Sequence, residues 1–374
     1  TVVELVHELR QQGAAVRGVM TDSARGIIHP WAVEFATERD VITEITGRVE
    51  HVELCGRDGW ADVLLLAPAT ANTVGKVASA VDDTPVTTCA TTALGAGVPV
   101  VAVPAMHEPM YDHPGVLDAL DRVESWGVDV VDPRIEEGKA KIASREAIVT
   151  ATARATTEDS LAGTHVVVTA GATAEAVDPV RILTTRASGK TGRAVARACH
   201  VRGADVTLVH DGGEVHYADT LQVESAAEMR DAVSAAVAGA GADAAPAADA
   251  LVSAAAISDY TVGTAPEKLR SGEPRRLDLD PTPKLLDGVR DAYPALPIVG
   301  FKTETSGDDD AMADAASDLR DRLNCAFVVA NDASVMGADD TRALLVGADG
   351  TEAFSGSKPG LGDAVAARLA AVLN

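Results

Sequence analysis

The sequence predicts an α/β fold of two domains, each a doubly wound, Rossmann-like parallel sheet, and two observations predict it. Apolar, β-rich runs alternate with helical stretches along the whole chain, the pattern of parallel strands covered by helices on both faces. The length, 374 residues, suits two domains of about 150 residues or more, each able to bury its own core. Hydrophobic residues make up 47% of the chain, so it is globular rather than disordered. A formal charge of −24 with 3% aromatic residues argues against a protein that neutralises phosphates or stacks bases, so no nucleic-acid partner is expected. Eight of the 32 basic residues are lysines. An acidic, Lys-poor but folded chain suggests a proteome adapted to high salt, where carboxylates keep the surface hydrated and their repulsion is screened.

The elements follow in order. VVELVHELRQQGA at the start is an amphipathic helix stopped at Gly13, and AVRGVM (15–20) is a strand. No strand precedes that helix, although the first strand of a doubly wound sheet is central and its loop touches the ligand. We therefore expect a strand of the intact protein ahead of residue 1. DVLLLAP (62–68), PVVAVPA (99–105) and VDVV (128–131) are the next strands. A helix near Ser144 to Thr157 then runs into the polar TTEDSLAGT, which divides the chain into domains 1–158 and 159–374. In the second domain the strands are HVVVTAG (165–171), DVTLV (205–209), ALVSAAA (250–256), PIVGF (297–301) and AFVVAN (326–331). The Ala, Gly and Asp bias of residues 232–249 reads as a helix end and a flexible surface loop. Cys55, Cys89, Cys199 and Cys325 form no CxxC pair. Neither a disulfide framework nor a zinc site is indicated, which fits a reducing cytoplasm. The long uncharged stretch 84–106 is broken by Gly95, Gly97, Pro99 and Pro104, so no membrane span is expected, and no signal peptide is seen.

Three clusters in the first domain could carry chemistry. The strand DVLLLAP runs straight into Ala69, Thr70, Ala71, Asn72 and Thr73. Such a hydroxyl-rich turn is either a capped helix start or a set of donors for a polar ligand. VTTCATT (86–92) and PAMHEPMY (104–111) follow. In this order, APATANT, the TT segment and a PAM-x-x-x-M-[WY] run resemble the flavin-containing cysteine decarboxylases, above all the decarboxylase half of the bifunctional phosphopantothenoylcysteine decarboxylase/phosphopantothenate-cysteine ligases. The resemblance implies a flavodoxin-like flavoprotein domain, here without its first strand, with FMN held by Ser23, Ala69, Thr70, Asn72, Thr73, Thr87 and Thr88. It also implies a catalytic histidine at His51, in EHVEL, whose near-neutral imidazole can handle a carboxylate or thiol proton. FMN would oxidise the cysteinyl thiol, carbon dioxide would leave, and the reduced flavin would return the electrons. Two departures stand out. His107 occupies the place of the Asn that usually follows PAM, and we keep it in the site. The flap segment Asp132–Ala143 has no Cys; Lys139 or Lys141 could donate its proton, or the loop is merely solvated charge.

In the second domain, TAGATAEAVDPVR followed by SGKTG sets Ser188, Gly189 and Lys190 at a helix start, where N–H groups are free. This run alone fits cofactor binding or tight packing equally, and it is not a Walker loop. AAAISDY (254–260), EKL, TPKLL (282–286), VGFKTET (299–305) and ANDAS (330–334) come after it. These motifs resemble the ligase half of the same family. They imply activation of the 4'-phosphopantothenate carboxylate by CTP with Mg2+, release of pyrophosphate, and attack by the amine of cysteine. Asp259, Lys268, Thr282 and Phe301 would then serve the nucleotide, with Lys190 in the helix-start motif. Lys268 would steady the transition state, and Gly171 and Gly189 would shape the loops. Thr185 replaces the family's Asn, and Arg320 and Arg322 stand in for a basic pair. No metal ligand is identified. The family pattern implies trimers through the flavin domain and dimers through the ligase domain. A binding or regulatory protein on a catalytically impaired flavoprotein fold is the alternative.

Overall fold

The computed structural model describes residues 2–136, 139–239, 247–272, 274–304, 308–332 and 339–374, and for residues 135, 136, 139 and 140 the backbone alone. The chain divides into two compact units, Thr1–Thr157 and Glu158–Asn374. The expected surface loop falls partly on residues 240–246, outside the described residues; before it, the helix Ala226–Ala238 ends at a left-handed Gly239.

In the first unit, strands Leu64–Ala69, Val100–Pro104 and Asp129–Val130 pair in parallel in that order. Adjacent residues of one strand serve opposite cores, as the period of a strand requires. Ala102 packs with Leu66, Val74, Val77, Ala93 and Leu120, whereas Val103 packs with Leu5, Leu9 and Ile148. Helices therefore cover both faces. Three of them start on hydroxyl caps: Thr70, Thr84 and Ser144 each accept the N–H three residues on. Each cap contributes about 1 kcal/mol.

One expected strand is absent. AVRGVM makes a single parallel bridge, Val19 to Ile42, flanked by Met20 N–H to Ile42 O and Ile42 N–H to Gly18 O, both 2.9 Å. Its apolar pattern reports burial, with Met20 5% exposed, but a strand also needs a partner over several residues. Among the described residues it finds only the segment at Ile42.

The second unit carries an eight-stranded sheet in the order Asp219–Gln222, Asp205–His210, His165–Thr169, Ala250–Ser253, Ile298–Glu304, Phe327–Asp332, Asp340–Gly347, Gly350–Ser357. The first six are parallel and the last two form an antiparallel hairpin on the edge. In chain order the parallel strands read 3-2-1-4-5-6, so the winding reverses between His165–Thr169 and Ala250–Ser253, and a ligand crevice is expected beyond their carboxyl ends. Helices Lys190–Val201 and Lys358–Leu373 cover one face through Val195, Leu361 and Val365. Helices Ala226–Ala238, Leu285–Ala292 and Asp309–Leu323 cover the other through Met229, Val233, Val289 and Met312. Each large apolar side chain so buried contributes about 1.5–3 kcal/mol. Among the described residues no helix is long and apolar enough to cross a membrane.

Candidate active sites

In the first unit, Ala69 ends its strand fully buried, and Thr70 caps the helix Ala71–Ala78 by accepting the Thr73 N–H at 3.4 Å. That cap leaves Asn72 exposed at the first turn, beside N–H groups and the positive end of a helix dipole. The PAM segment is stitched to this turn: Ala105 N–H donates to Ala69 O at 3.1 Å, and Pro104 lies opposite Ala69. Met106–His107 then pairs antiparallel with Lys139–Lys141, itself the second strand of a hairpin with Arg134–Glu136. The flap is thus bonded to the PAMH strand, with His107 in register with Lys139. The Lys139 side chain lies outside the described atoms. Burial, then Asp132, Glu124 and Asp112, pushes the Tyr111 phenol up, so it stays a hydrogen-bond donor.

His51 sits on the helix Glu50–Cys55. Thr46 donates its backbone N–H to the Glu50 carboxylate at 2.8 Å and its hydroxyl as well, holding the helix start. Cys55, one turn on and on the same face as His51, is buried in the same cluster as Cys89 of the helix Pro85–Ala96. The neighbouring Cys55 thiol and burial push the Cys89 thiol up. The contact presses the His51 helix onto the helix that carries Thr87 and Thr88. His51 Nδ1 is buried without a hydrogen-bond partner among the described residues, an unsatisfied group of the kind a ligand completes.

The two threonines are less free than their motif suggests. Thr87 is buried and closes a reciprocal capping box, accepting the Thr84 N–H at 3.1 Å and donating to Thr84 O at 3.1 Å. The Thr88 hydroxyl bonds Thr84 O at 2.9 Å and Asp82 O at 3.1 Å. Their hydroxyls shape the helix start. Ser23 is exposed on the short helix Asp22–Arg25, with no hydrogen bond to the Ala69–Thr73 turn.

In the second unit the candidate residues gather at the carboxyl ends of the strands. Gly171 and Gly189 both have positive φ, +82° and +68°, and their backbones touch: a Cβ on Gly189 would lie 2.8 Å from Gly171 N. A Cβ on Gly192 would meet Ala170 Cβ at 2.6 Å, so the helix Lys190–Val201 abuts the strand end. Arg193 closes the turn by donating to Ser188 O at 2.8 Å. Across the crevice, Thr282 is buried, donating to Ser258 O at 2.5 Å, and its N–H reaches Asp259 O at 3.0 Å. Asp259 pairs with Lys284 rather than Lys268. Phe301 lies half-buried in register with Val329, and Thr185 is exposed, accepting the Ala187 N–H at 3.4 Å. Arg320 and Arg322 are engaged elsewhere, by Gly347 O and Asp321 and by Asp287. Residues 305 and 333–334 of the VGFKTET and ANDAS runs lie outside the described residues.

Lys268 is exposed in a segment held by Asp178, a residue that the sequence reading did not single out. Asp178 accepts the Leu269 N–H at 3.0 Å, the Val180 N–H at 2.8 Å and the Arg181 N–H at 2.9 Å, and it pairs with the Arg181 guanidinium. Burial pushes this carboxyl up, but the hydrogen bonds outweigh it and hold it at about 2. An unfolded Asp titrates near about 3.9. The stabilisation is therefore complete above that value and is lost as pH falls through about 2. We expect Asp178→Asn to flatten the fall of the melting temperature between about pH 4 and about pH 2, and to slow ligation by releasing the Lys268 segment. An unchanged acid limb would refute the assignment. His210 was also missed. Burial pushes its imidazole down, Nε2 faces Gly213 O at 3.1 Å, and Nδ1 is a second buried atom without a partner among the described residues.

Among the described residues no three His, Cys, Asp or Glu side chains are placed to hold a metal. The two units define a two-part α/β chain: residues 1–157 match the flavoprotein family, and residues 161–373 match the DNA/pantothenate metabolism flavoprotein C-terminal domain. The chain is 44% identical to the coenzyme A biosynthesis bifunctional protein CoaBC of Thermococcus kodakarensis over 351 residues, covering 93% of this chain and 85% of that one. The Methanocaldococcus jannaschii protein of that name is 32% identical, covering 98% and 89%, and the Bacillus subtilis one 32% identical, covering 89% and 83%. The chain belongs to this family of bifunctional coenzyme A biosynthesis proteins.

Proposed function

We propose that the second unit joins 4'-phosphopantothenate to cysteine at the expense of CTP, and that the first decarboxylates the product to 4'-phosphopantetheine. One observation carries the reading: relatives named as bifunctional coenzyme A biosynthesis proteins match both units in one chain, in one order. The chain is accordingly a bifunctional decarboxylase and ligase.

The first unit suits FMN. Its turn offers Thr70, Asn72 and Thr73 beside Ala69, with the stitched PAM segment alongside, and His51 Nδ1 lacks a partner among the described residues. When bound, FMN supplies the two-electron oxidation of the thiol that lets carbon dioxide leave, and then returns the electrons. His51 takes up or releases the substrate's proton at its imidazole. His107 faces the carboxylate end, and Tyr111 remains protonated as a donor.

In the second unit, the interlocked Gly171 and Gly189 turns leave room for the substrate backbone. Lys268 neutralises charge that develops as the carboxylate attacks the α-phosphate of CTP, and Thr185 hydrogen-bonds the acyl-nucleotide. Mg2+ arrives with the triphosphate.

We also propose a homo-oligomer, with trimeric contacts in the flavin unit and dimeric ones in the ligase unit. Ile27, Trp31 and Phe35 are 90%, 74% and 77% exposed, an apolar stripe that a second subunit would cover. The acidic, Lys-poor surface fits a cytoplasm of high salt, such as that of a halophilic archaeon.

Mass spectrometry of products tests the reading, with the full chain in molar KCl with Mg2+, FMN, CTP, 4'-phosphopantothenate and cysteine. We expect 4'-phosphopantetheine. Accumulation of phosphopantothenoylcysteine would leave the ligase half standing alone. Absence of both products and of pyrophosphate would favour a binding or regulatory protein.

A further inference from the structure

We propose that Thr173 is a positioning residue of the second unit: its buried hydroxyl and its carbonyl set the spacing between Asp259 and Thr185, and so align the two substrates that the ligase reaction joins. This deepens the ligase reading above and rests on it.

The pairing of His165–Thr169 with Ala250–Ser253 does not stop at the strand ends. Ser253 lies opposite Thr169, and beyond that pair the two segments stay laced together. Ala254 N–H donates to Thr169 O at 3.3 Å, Ala255 N–H to Thr169 Oγ1 at 3.1 Å, Ala256 N–H to Gly171 O at 2.9 Å, and Thr173 N–H to Ala256 O at 3.2 Å. Ser258 N–H then donates to Thr173 Oγ1 at 2.8 Å.

Thr173 is 0% exposed, and a hydroxyl so buried has to be satisfied. What it does there is hold the residue before Asp259. Ser258 is gripped from both sides: Thr173 Oγ1 takes its N–H, and the Thr282 hydroxyl donates to its carbonyl. Thr282 N–H reaches Asp259 O at 3.0 Å. Two residues past Asp259, the Thr261 hydroxyl donates to Glu175 Oε2 at 2.9 Å, while Glu175 Oε1 accepts the Ala226 N–H at 2.9 Å. Asp259 is thus pinned before and behind by Thr173 and Glu175, two residues of one segment.

The same threonine grips the acyl end. Thr184 donates its hydroxyl to Thr173 O at 2.8 Å, and Ala174 stands opposite Thr184 in the antiparallel pair of Ala174–Ala176 with Ile182–Thr184. Thr185 follows directly. One buried residue therefore bonds the neighbour of Asp259 through Oγ1 and the neighbour of Thr185 through its carbonyl. A nucleotide at Asp259 and an acyl group at Thr185 have to meet in line, and rates fall steeply when reacting groups are displaced. Both bonds of Thr173 run to protein, so its contribution is alignment and not binding.

Thr173→Val, which keeps the shape and removes the hydroxyl, leaves the Ser258 N–H without its acceptor. In the full chain we expect kcat for pyrophosphate release from CTP and 4'-phosphopantothenate to fall about 10- to 100-fold, with the Kd of CTP alone, by calorimetry, within about twofold. Thr173→Ser restores the acceptor and should return kcat to within about threefold. Decarboxylation by the first unit is the internal control and should not change. A valine variant as fast as the unsubstituted chain would overturn the proposal. So would CTP binding that weakens as much as kcat falls, because that is loss of binding. A serine variant as slow as the valine one would overturn it too, since the hydroxyl would then not be what matters. If Thr173→Val does not fold, Thr184→Val cuts the other arm at an exposed position; it is scored on the same split, with a fall in kcat of about fivefold or more expected. An unsubstituted chain that releases no pyrophosphate would refute the ligase reading instead.

Discussion

His51→Ala is expected to slow decarboxylation of supplied 4'-phosphopantothenoylcysteine by about 10²- to 10⁴-fold, the usual contribution of a positioned acid or base, with ligation unchanged. The substitution leaves the fold's supports in place. Thr46 still holds Glu50, and Cys55 stays buried in the cluster that holds Cys89. It removes a ring whose Nδ1 is buried without a partner among the described residues, so no hydrogen bond of those residues is broken there. Carbon dioxide release measures the first activity and pyrophosphate release the second. A loss below about tenfold would remove His51 from the chemistry, and a parallel loss of both activities would make it structural.

Gly189→Ala should reverse that pattern, lowering ligation by about 100-fold or more while decarboxylation continues. The new Cβ would sit 2.8 Å from Gly171 N and 2.9 Å from Gly171 Cα. Backbone cannot swing away, so the interlocked turns must part, and small displacements at a reacting centre are costly. A left-handed φ of +68° adds about 1–2 kcal/mol for any residue with a Cβ. Gly171→Ala is the instructive comparison. Its Cβ meets the Asp211 carboxylate at 2.0 Å, the end of a side chain that can rotate. The damage there should be the smaller of the two, and equal effects would show that Gly189 is not special.

What could be read from the residues, and what could not, divides along the range of the forces. Hydroxyl caps at Thr70, Thr84 and Ser144, the left-handed Gly189 and the central strands are local features, recorded within three or four neighbours. The AVRGVM run shows the limit. Its pattern marks burial correctly, yet a strand requires a ladder elsewhere in the chain. The edge strands Asp219–Gln222 and Gly350–Ser357 escaped notice because they are largely exposed and lack a continuous apolar run, whereas the buried run Ala343–Val346 of Asp340–Gly347 was legible and was not read. In the first site, the motif threonines were visible, but the capping box that occupies the Thr87 hydroxyl depends on where the helix begins.

The sequence by itself determined the α/β class, the two-part organisation, the family and the turns where chemistry gathers. Tertiary structure alone decided which charges meet. It paired Lys284 rather than Lys268 with Asp259, and joined the flap to His107. It tied Leu269 to Asp178, and Lys190 to Asp339, 149 residues apart. Composition and period fix what a segment buries, but Coulomb and hydrogen-bond energies fall off within a few ångströms, so only the packed chain brings distant partners into range.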